Sequence, residues 1–148
     1  MLLEDSSLLQ KELGLLIDES VIDPNVTRAI GMKLEKMKEL PLNEHLWQTY
    51  WLIIVRAENI GTGLVGFKSR PNDDGLTEIG YGISPLFQNK GYMSEAVQAL
   101  VNWAFEHSNC NGVTATTVTN PASNRLLEKL GAEIVGENEE GTSWLIRK

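Results

Sequence analysis

The sequence predicts an α/β fold, in which a single domain over residues 1–148 has helices flanking a mixed, mostly antiparallel sheet. The length suits one domain, and the 42% hydrophobic and 22% charged content is that of an ordinary globular protein. Apolar residues recur at helical spacing in some segments and form β-branched runs in others. These segments alternate along the chain, which favours helices packed on a sheet.

Two helices are predicted first, at residues 4–13 and 26–39. In the second helix, apolar side chains recur three and four residues apart, which places them on one stripe. The stripe consists of Val26, Ile30, Leu34, Met37 and Leu40. Pro41 ends this helix, because a residue that precedes proline disfavours helical backbone angles.

Three strands follow, and we expect them to form an antiparallel meander. Aromatic and β-branched residues predict strands at 51–57, 64–69 and 76–83. Turns are expected between them, at 58–63 and at 70–75, because residues that break regular structure cluster there.

One segment imitates a cofactor motif. GTGLVG at 61–66 matches the dinucleotide-binding pattern G-x-G-x-x-G. That motif requires a helix that begins within it and directs its N-terminus at the pyrophosphate. Only three residues follow Gly66 before the turn at 70–75, so no helix fits. We therefore interpret these glycines as a hairpin turn and reject a dinucleotide site.

The second half of the chain alternates helices and strands. The predicted elements are a helix at 91–107, a strand at 112–118, a helix at 120–131 and a hairpin of 132–137 with 142–148. The strands 76–83 and 112–118, with the helix between them, form a central βαβ unit that should be parallel and right-handed. Ligands of open α/β sheets bind outside the carboxyl ends of such strands. Asn120 is the predicted N-cap of the last helix.

Composition argues against several classes of function. The net charge of −7 disfavours a nucleic-acid partner and mildly favours cationic partners. No apolar run approaches the roughly 18 residues that a membrane helix needs. The acidic N-terminus lacks the basic start of a secretory signal, so we expect a cytoplasmic protein with no membrane partner. A metal site is not expected, since Cys110 is the only cysteine and His45 and His107 lack metal-binding spacing.

A polar turn, FQNKGYMSEA at 87–96, joins the strand 76–83 to the next helix. Every such junction needs a turn, which gives this segment a purely structural interpretation. The functional alternative is that the helix N-terminus, with its free backbone N–H groups, binds an anion.

Two segments decide between these alternatives. EIGYGISPLFQNKGYMSEAVQALVNWAF at 78–105, followed by TNPASNRLLEKLGAEIVGE at 119–137, resembles the GNAT superfamily of N-acetyltransferases. Within it, the likeness is closer to the branch that acetylates N-terminal amines of ribosomal proteins. The superfamily's cofactor motif, Gln/Arg-x-x-Gly-x-Gly/Ala, corresponds to QNKGYM at 88–93. The resemblance spans roughly residues 50–148 and implies a GNAT-like fold around an acyl-CoA-binding βαβ unit.

The resemblance implies acetyl-CoA as the donor, bound between the end of strand 76–83 and the two helices that follow. Gly91 permits close approach of the diphosphate to the backbone, and the helix dipole favours its charge. The end of the strand would pair with the pantetheine arm. The implied cofactor-binding residues are Ile83, Ser84, Gln88, Asn89, Lys90, Gly91, Tyr92, Met93, Ser94, Asn120 and Asn124.

Two residues are candidates for the chemistry that the resemblance implies. Glu78 is the candidate base that takes the proton of the acceptor amine, directly or through a water. Ser123 is the candidate for protonating the departing thiolate or hydrogen-bonding its sulfur. Each has a structural alternative, because a strand glutamate commonly faces solvent and a serine is common in the first turn of a helix.

The sequence departs from the family pattern at three points. Met93 replaces a small residue, Leu127 replaces the tyrosine that many relatives use as general acid, and the usual first strand is missing or very short. The leucine favours an alternative function, a catalytically silent acyl-CoA-binding domain. A third hypothesis is a structural α/β domain without a ligand. The two segments at 78–105 and 119–137, which resemble the family in the same order, argue against it.

The acceptor is not specified by the sequence beyond its class. We expect a primary amine, either a small molecule or the N-terminus of a peptide or protein. Trp144 is a candidate for lining the acceptor groove, whereas His45 is interpreted as a surface histidine. A homodimer is compatible with exposed strand edges at 51–57 or 132–147, but no feature of the sequence requires it.

Overall fold

The structure, a computed structural model, describes residues 6–148 and confirms the predicted fold class. In this part of the chain, helices flank a seven-stranded sheet. The α-helices are α1 (Ser6–Leu13), α2 (Pro24–Lys38), α3 (Tyr92–Phe105) and α4 (Pro121–Lys129). The strands are β1 (Leu16–Ile17), β2 (Tyr50–Val55), β3 (Ile60–Phe67), β4 (Leu76–Ile83), β5 (Gly112–Val118), β6 (Glu133–Asn138) and β7 (Gly141–Arg147).

The sheet is mixed and mostly antiparallel. Its strands follow the order β1-β3-β4-β5-β7-β6, and β2 also pairs with β3. Strands β2, β3 and β4 form the predicted antiparallel meander, and β4 and β5 are parallel neighbours joined through α3, as the βαβ prediction requires. The two-residue β1 lies between α1 and α2 and runs parallel to the start of β3. The missing or very short strand expected before the N-terminal helices stays a prediction, since residues 1–5 lie outside the described part of the chain.

Strand β3 begins earlier than predicted, so the prediction that the glycines at 61–63 form a turn was wrong. The turn occupies 56–59 instead, and the strand continues from Ile60 through Phe67 without a helix. Position 63 needs a glycine because the backbone of β4 comes close to it, not because of turn geometry. A Cβ there would overlap the carbonyl oxygen of Gly82 on β4. Such a contact depends on the neighbouring strand and is not visible in local sequence.

The first two helices lie near their predicted positions. Positions 4 and 5 of the first predicted helix lie outside the described residues. Helix α2 starts two residues earlier than predicted, because the Asp23 carboxylate caps it by accepting hydrogen bonds from the N–H groups of Asn25 (2.7 Å) and Val26 (2.9 Å). The apolar stripe of α2 is only partly covered, since the helix has no buried residue.

The main core lies between α3 and the sheet. Val97, Val101 and Ala104 of α3 are buried there, together with aliphatic side chains from the central strands and from α4. An aromatic group closes one end of this core, with the rings of Trp47 and Trp103 4.7 Å apart between centroids. Burial of apolar surface on this scale is what fixes α3 and α4 relative to the strands.

Strands β4 and β5 pair only over part of their length. The parallel register joins Leu76–Glu78 to 112–114 and then stops. Beyond it, the β5–β7 pairing is interrupted after Ala115, and Thr117 adopts a left-handed φ of 50°. The two strands therefore separate toward their carboxyl ends and leave a cleft in the sheet.

The far edge of the sheet is exposed. Strand β6 is open to solvent along its whole length, including Ile134 and Val135, and pairs only with β7 in the described structure. This edge is compatible with the homodimer considered above, which stays a prediction.

We expect Leu127→Ala to destabilise the protein by about 2–5 kcal/mol, because the Leu127 side chain is fully buried and its truncation leaves a cavity. Chemical denaturation followed by circular dichroism measures the free energy of unfolding. Leu86→Ala is the matched control, since Leu86 is 74% exposed and should change stability by only about 0.5 kcal/mol. Equal effects of the two substitutions would contradict the assigned core.

Candidate functional site

A cavity of about 440 Å³ opens where β4 and β5 separate. Its walls are the end of β4, the turn and first residues of α3, and the exposed side of α4. It contains most of the residues predicted from the sequence to bind a cofactor. Those that line it are Ile83, Gln88, Asn89, Gly91, Tyr92, Met93, Ser94 and Asn120, together with Ser123.

The turn before α3 presents backbone N–H groups to this cavity. Asn89 and Gly91 both have left-handed backbone, with φ values of 60° and 86°, and no atom would lie within 4 Å of a Cβ added to Gly91. The first helical hydrogen bond runs from the Glu95 N–H to the Gly91 carbonyl (3.1 Å), and no side chain caps the helix. The preceding N–H groups therefore have no acceptor within α3 and can bind an anion.

Helix α4 supplies the opposite wall. The Asn120 side chain confirms the predicted N-cap by accepting a hydrogen bond from the Ala122 N–H (2.9 Å), which leaves its NH₂ group for other partners. Arg125 and Lys129 also line the cavity, one helical turn apart, and neither forms an ion pair within residues 6–148. Sequence reasoning missed these two cations, although their four-residue spacing on the helix after Asn120 was a usable signal.

Tyr81 is a third residue that sequence reasoning missed. Its hydroxyl oxygen is buried and makes no hydrogen bond of ordinary geometry. Burial raises the pKa of Tyr81, and the nearby Ser123 hydroxyl lowers it in part. An unsatisfied buried hydroxyl is rare in folded proteins, so this position suggests a role in binding or chemistry.

Three of the predicted cofactor-binding residues lie outside the lining. The Lys90 ammonium lies 5.7 Å from the centroid of the Phe87 ring, and buried Ser84 donates its backbone N–H to Thr62 O (2.7 Å). Asn124 accepts a hydrogen bond from the Trp144 indole N–H (2.8 Å), which ties α4 to β7. Contact of these side chains with a cofactor stays a prediction.

Glu78 lies on β4 but does not line the cavity. Its carboxylate accepts hydrogen bonds from Lys68 Nζ (2.6 Å) and Thr116 Oγ1 (2.5 Å). Partial burial raises the pKa of Glu78, but these hydrogen bonds and the Lys68 charge outweigh the burial, so the pKa lies below its ordinary value. Strand alternation places Glu78 on the same face of β4 as Gly80 and Gly82.

A second cavity, of about 490 Å³, lies between β4 and the segment that enters α2. Gly80 of β4 and Asp23 of the α2 cap contribute to its lining. Tyr81, Gly82 and Ile83 line both cavities, so the end of β4 forms a shared boundary between them. The arrangement suits a reaction in which two molecules meet across one strand end.

The remaining candidates have structural contacts. Trp144 is buried and lines neither cavity. The His45 ring lies 3.0 Å from the Leu40 carbonyl oxygen, within a short 3₁₀ segment. Leu127 is fully buried in the core, where its side chain has no means of proton transfer. Among residues 6–148, no group of three or more His, Cys, Asp or Glu is placed to hold a metal ion.

None of the helices in residues 6–148 has the length and apolar character that crossing a membrane requires.

Comparison with known proteins matches this chain to acetyltransferases. The family model described as "Acetyltransferase (GNAT) domain" matches residues 15–133. The uncharacterized N-acetyltransferase YjdG of Bacillus subtilis is 32% identical over 96 residues, which are 64% of this chain and 57% of that protein. The chain thus spans little more than half the length of this relative.

Solved structures agree at the level of the fold. Ribosomal-protein-S5-alanine acetyltransferase from Vibrio fischeri superposes with a TM-score of 0.63 at 21% identity, covering 86% of this chain and 72% of that one. RimL, a ribosomal L7/L12 alpha-N-protein acetyltransferase solved in complex with coenzyme A, gives a TM-score of 0.54 at 21% identity, covering 61% and 57%.

The lowered pKa of Glu78 predicts a pH-dependent contribution to stability. A carboxyl group whose folded-state pKa is depressed stabilises the fold above its unfolded pKa, and this contribution is lost as pH falls through the folded value. We therefore expect the stability difference between native protein and Glu78→Gln to shrink as pH falls below about 4.3, the ordinary pKa of a glutamate. Urea denaturation at several pH values measures it, and a constant difference would show that the Lys68 and Thr116 contacts do not favour the carboxylate.

Proposed function

Because this chain belongs to the GNAT acetyltransferase family, we propose that it transfers an acetyl group from acetyl-CoA to a primary amine. The observation that supports the proposal is the cavity between β4, α3 and α4. The uncapped N-terminus of α3 and the end of β4, which has no β5 partner, both line it. The acceptor is a small amine or the N-terminus of a peptide or protein.

The residues of the first cavity fit an acyl-CoA donor, which supplies an activated thioester when bound. The N–H groups before Glu95 suit the diphosphate, and Arg125 and Lys129 add positive charge on the opposite wall. The edge of β4 beyond Glu78 has no β5 partner, so its backbone groups can pair with an extended amide-containing arm. Met93 is accommodated by packing against the core and does not close the cavity.

The second cavity fits the acceptor. It meets the first cavity along Tyr81–Ile83, where an amine can reach a carbonyl carbon held on the other side. Asp23 is the only charged residue among the described lining, and its carboxylate favours a cationic amine over an anion. Apolar groups make up most of the remaining lining, so they favour an acceptor with an apolar body next to its amine.

Glu78 is proposed as the base, acting through a water. An α-amine has a pKa near 8 and must lose a proton before it attacks. Glu78 stays ionised at neutral pH, since its pKa is lowered, and it lies on the face of β4 that carries Gly80 and Gly82 of the acceptor cavity. A carboxylate held in this form accepts a proton through water and passes it to solvent.

The first experiment is calorimetric titration with acetyl-CoA and with CoA. We expect Gly91→Glu to weaken binding at least tenfold, because a carboxylate at the anion site repels the diphosphate. Gly91→Ala introduces the backbone strain without the negative charge, so it should weaken binding less than Gly91→Glu. Gly14→Glu is the matched control, because Gly14 also has a left-handed φ (65°) and open surroundings but lies outside both cavities. Failure of the native protein to bind at millimolar cofactor would refute the proposal.

The second experiment measures turnover as CoA release, with small amines and N-terminal peptides as acceptors. We expect Glu78→Gln to lower kcat/KM about 100-fold, within the usual range for loss of a general base. Glu133→Gln is the control, since Glu133 is also an ion-paired strand glutamate but lies on β6. Tight acetyl-CoA binding without turnover of any acceptor would favour the silent binding domain, for which buried Leu127 is the supporting observation.

A further inference from the structure

We infer that Tyr81 is a positioning residue, whose hydroxyl orients the Ser123 hydroxyl so that Ser123 donates a hydrogen bond to the sulfur of CoA. This inference rests on the proposed function, because the sulfur belongs to the acyl donor. It assigns a task to the one strand tyrosine that lines both cavities.

The first support is the state of the Tyr81 hydroxyl. Its oxygen is buried and makes no hydrogen bond of ordinary geometry, a state that it shares, among the described residues, with Gln48 Oε1 and Trp51 Nε1. A structural tyrosine in a core usually reaches a partner or solvent with its hydroxyl. The ring itself packs against the main core, so the side chain is held in place while its polar end is left unsatisfied.

The second support is what lies opposite that hydroxyl. Ser123 is near enough to influence the pKa of Tyr81, and it lies half-buried in the first turn of α4, on the cavity wall. Burial raises the pKa of Tyr81, so its hydroxyl keeps its proton at neutral pH and is able to donate to Ser123.

A serine hydroxyl needs such a partner to act directionally. It carries one hydrogen and two lone pairs, and it rotates to suit its surroundings. If Tyr81 donates to Ser123 Oγ, one lone pair is occupied and the Ser123 hydrogen is free to point into the cavity. The position that many relatives fill with an acidic tyrosine holds Leu127, which is fully buried and cannot compete for this role.

The reaction balances without a proton leaving either hydroxyl. The amine nitrogen forms a bond to the carbonyl carbon, the carbon–sulfur bond breaks, and its electron pair goes to the sulfur. Before the attack, the ammonium gives one proton to Glu78 through water, and Glu78 passes it to solvent. As the amide forms, the nitrogen gives up its second proton by the same route. Ser123 stabilises the thiolate by hydrogen bonding, and the thiolate takes a proton from solvent, since a thiol has a pKa near 8.5. Tyr81 transfers no proton itself and acts through Ser123.

The test is the ionisation of CoA bound to the intact chain, which needs no acceptor. Ultraviolet absorbance of the thiolate is titrated against pH, with desulfo-CoA complexes as the reference for protein groups. We expect Tyr81→Phe and Ser123→Ala each to disfavour the bound thiolate, by up to about tenfold in its ionisation constant. The double variant should lose no more than Ser123→Ala alone, because both changes remove one interaction.

Controls separate this role from packing. Tyr81→Phe keeps the ring, and thermal unfolding should show a folded protein that still binds CoA. Tyr50→Phe removes a phenol hydroxyl that lines the second cavity but not the first, so it should leave the thiol ionisation of bound CoA unchanged. In turnover, Tyr81→Phe should lower kcat with little change in KM for acetyl-CoA.

Three results would overturn the inference. The first is a Tyr81→Phe complex whose bound thiol ionises as in the native protein. The second is an effect of Tyr81→Phe that adds in full to that of Ser123→Ala. The third, available even if Tyr81→Phe fails to fold, is a normal thiol ionisation in Ser123→Ala. Absence of CoA binding by the native chain would instead remove the proposed function, and this inference with it.

Discussion

Strands β4 and β5 stop pairing after Glu78 and Thr114, and the layout of the site follows from that separation. A strand edge that loses its neighbour leaves N–H and C=O groups without partners, which is costly unless water or a ligand takes them. The gap also lets α4 approach β4 from the side of β5. The turn before α3, the wall of α4 and the shared boundary at Tyr81–Ile83 are then arranged around one opening.

The two cavities that meet at this boundary are lined by residues of opposite charge. The chain is acidic overall, yet Arg125 and Lys129 lie on the donor side, where a diphosphate would need them. The acceptor side carries Asp23, whose sign suits an ammonium group. Net charge alone therefore says little about the donor, since the cations nearest to a site contribute strongly to the potential there.

Many of the secondary-structure elements were predictable from the sequence, because the residues that determine them lie within or next to each element. Strands 76–83 and 112–118 were found with their observed bounds, since breakers flank β-branched runs, and Asn120 caps α4 as expected. The start of β3 was missed because the need for Gly63 arises from β4, a partner distant in sequence. Tyr81 was not singled out from the sequence, because no local pattern shows that its hydroxyl makes no hydrogen bond of ordinary geometry.

The two walls of the site differ in how firmly they are held. Helix α3 buries four residues in the main core, whereas α2, beside the acceptor cavity, buries none. Segments with few buried apolar contacts open at lower free energy than the core around them. The proposed donor side is thus a rigid template, while the proposed acceptor side is bounded by an adaptable wall that can shift without disturbing the core.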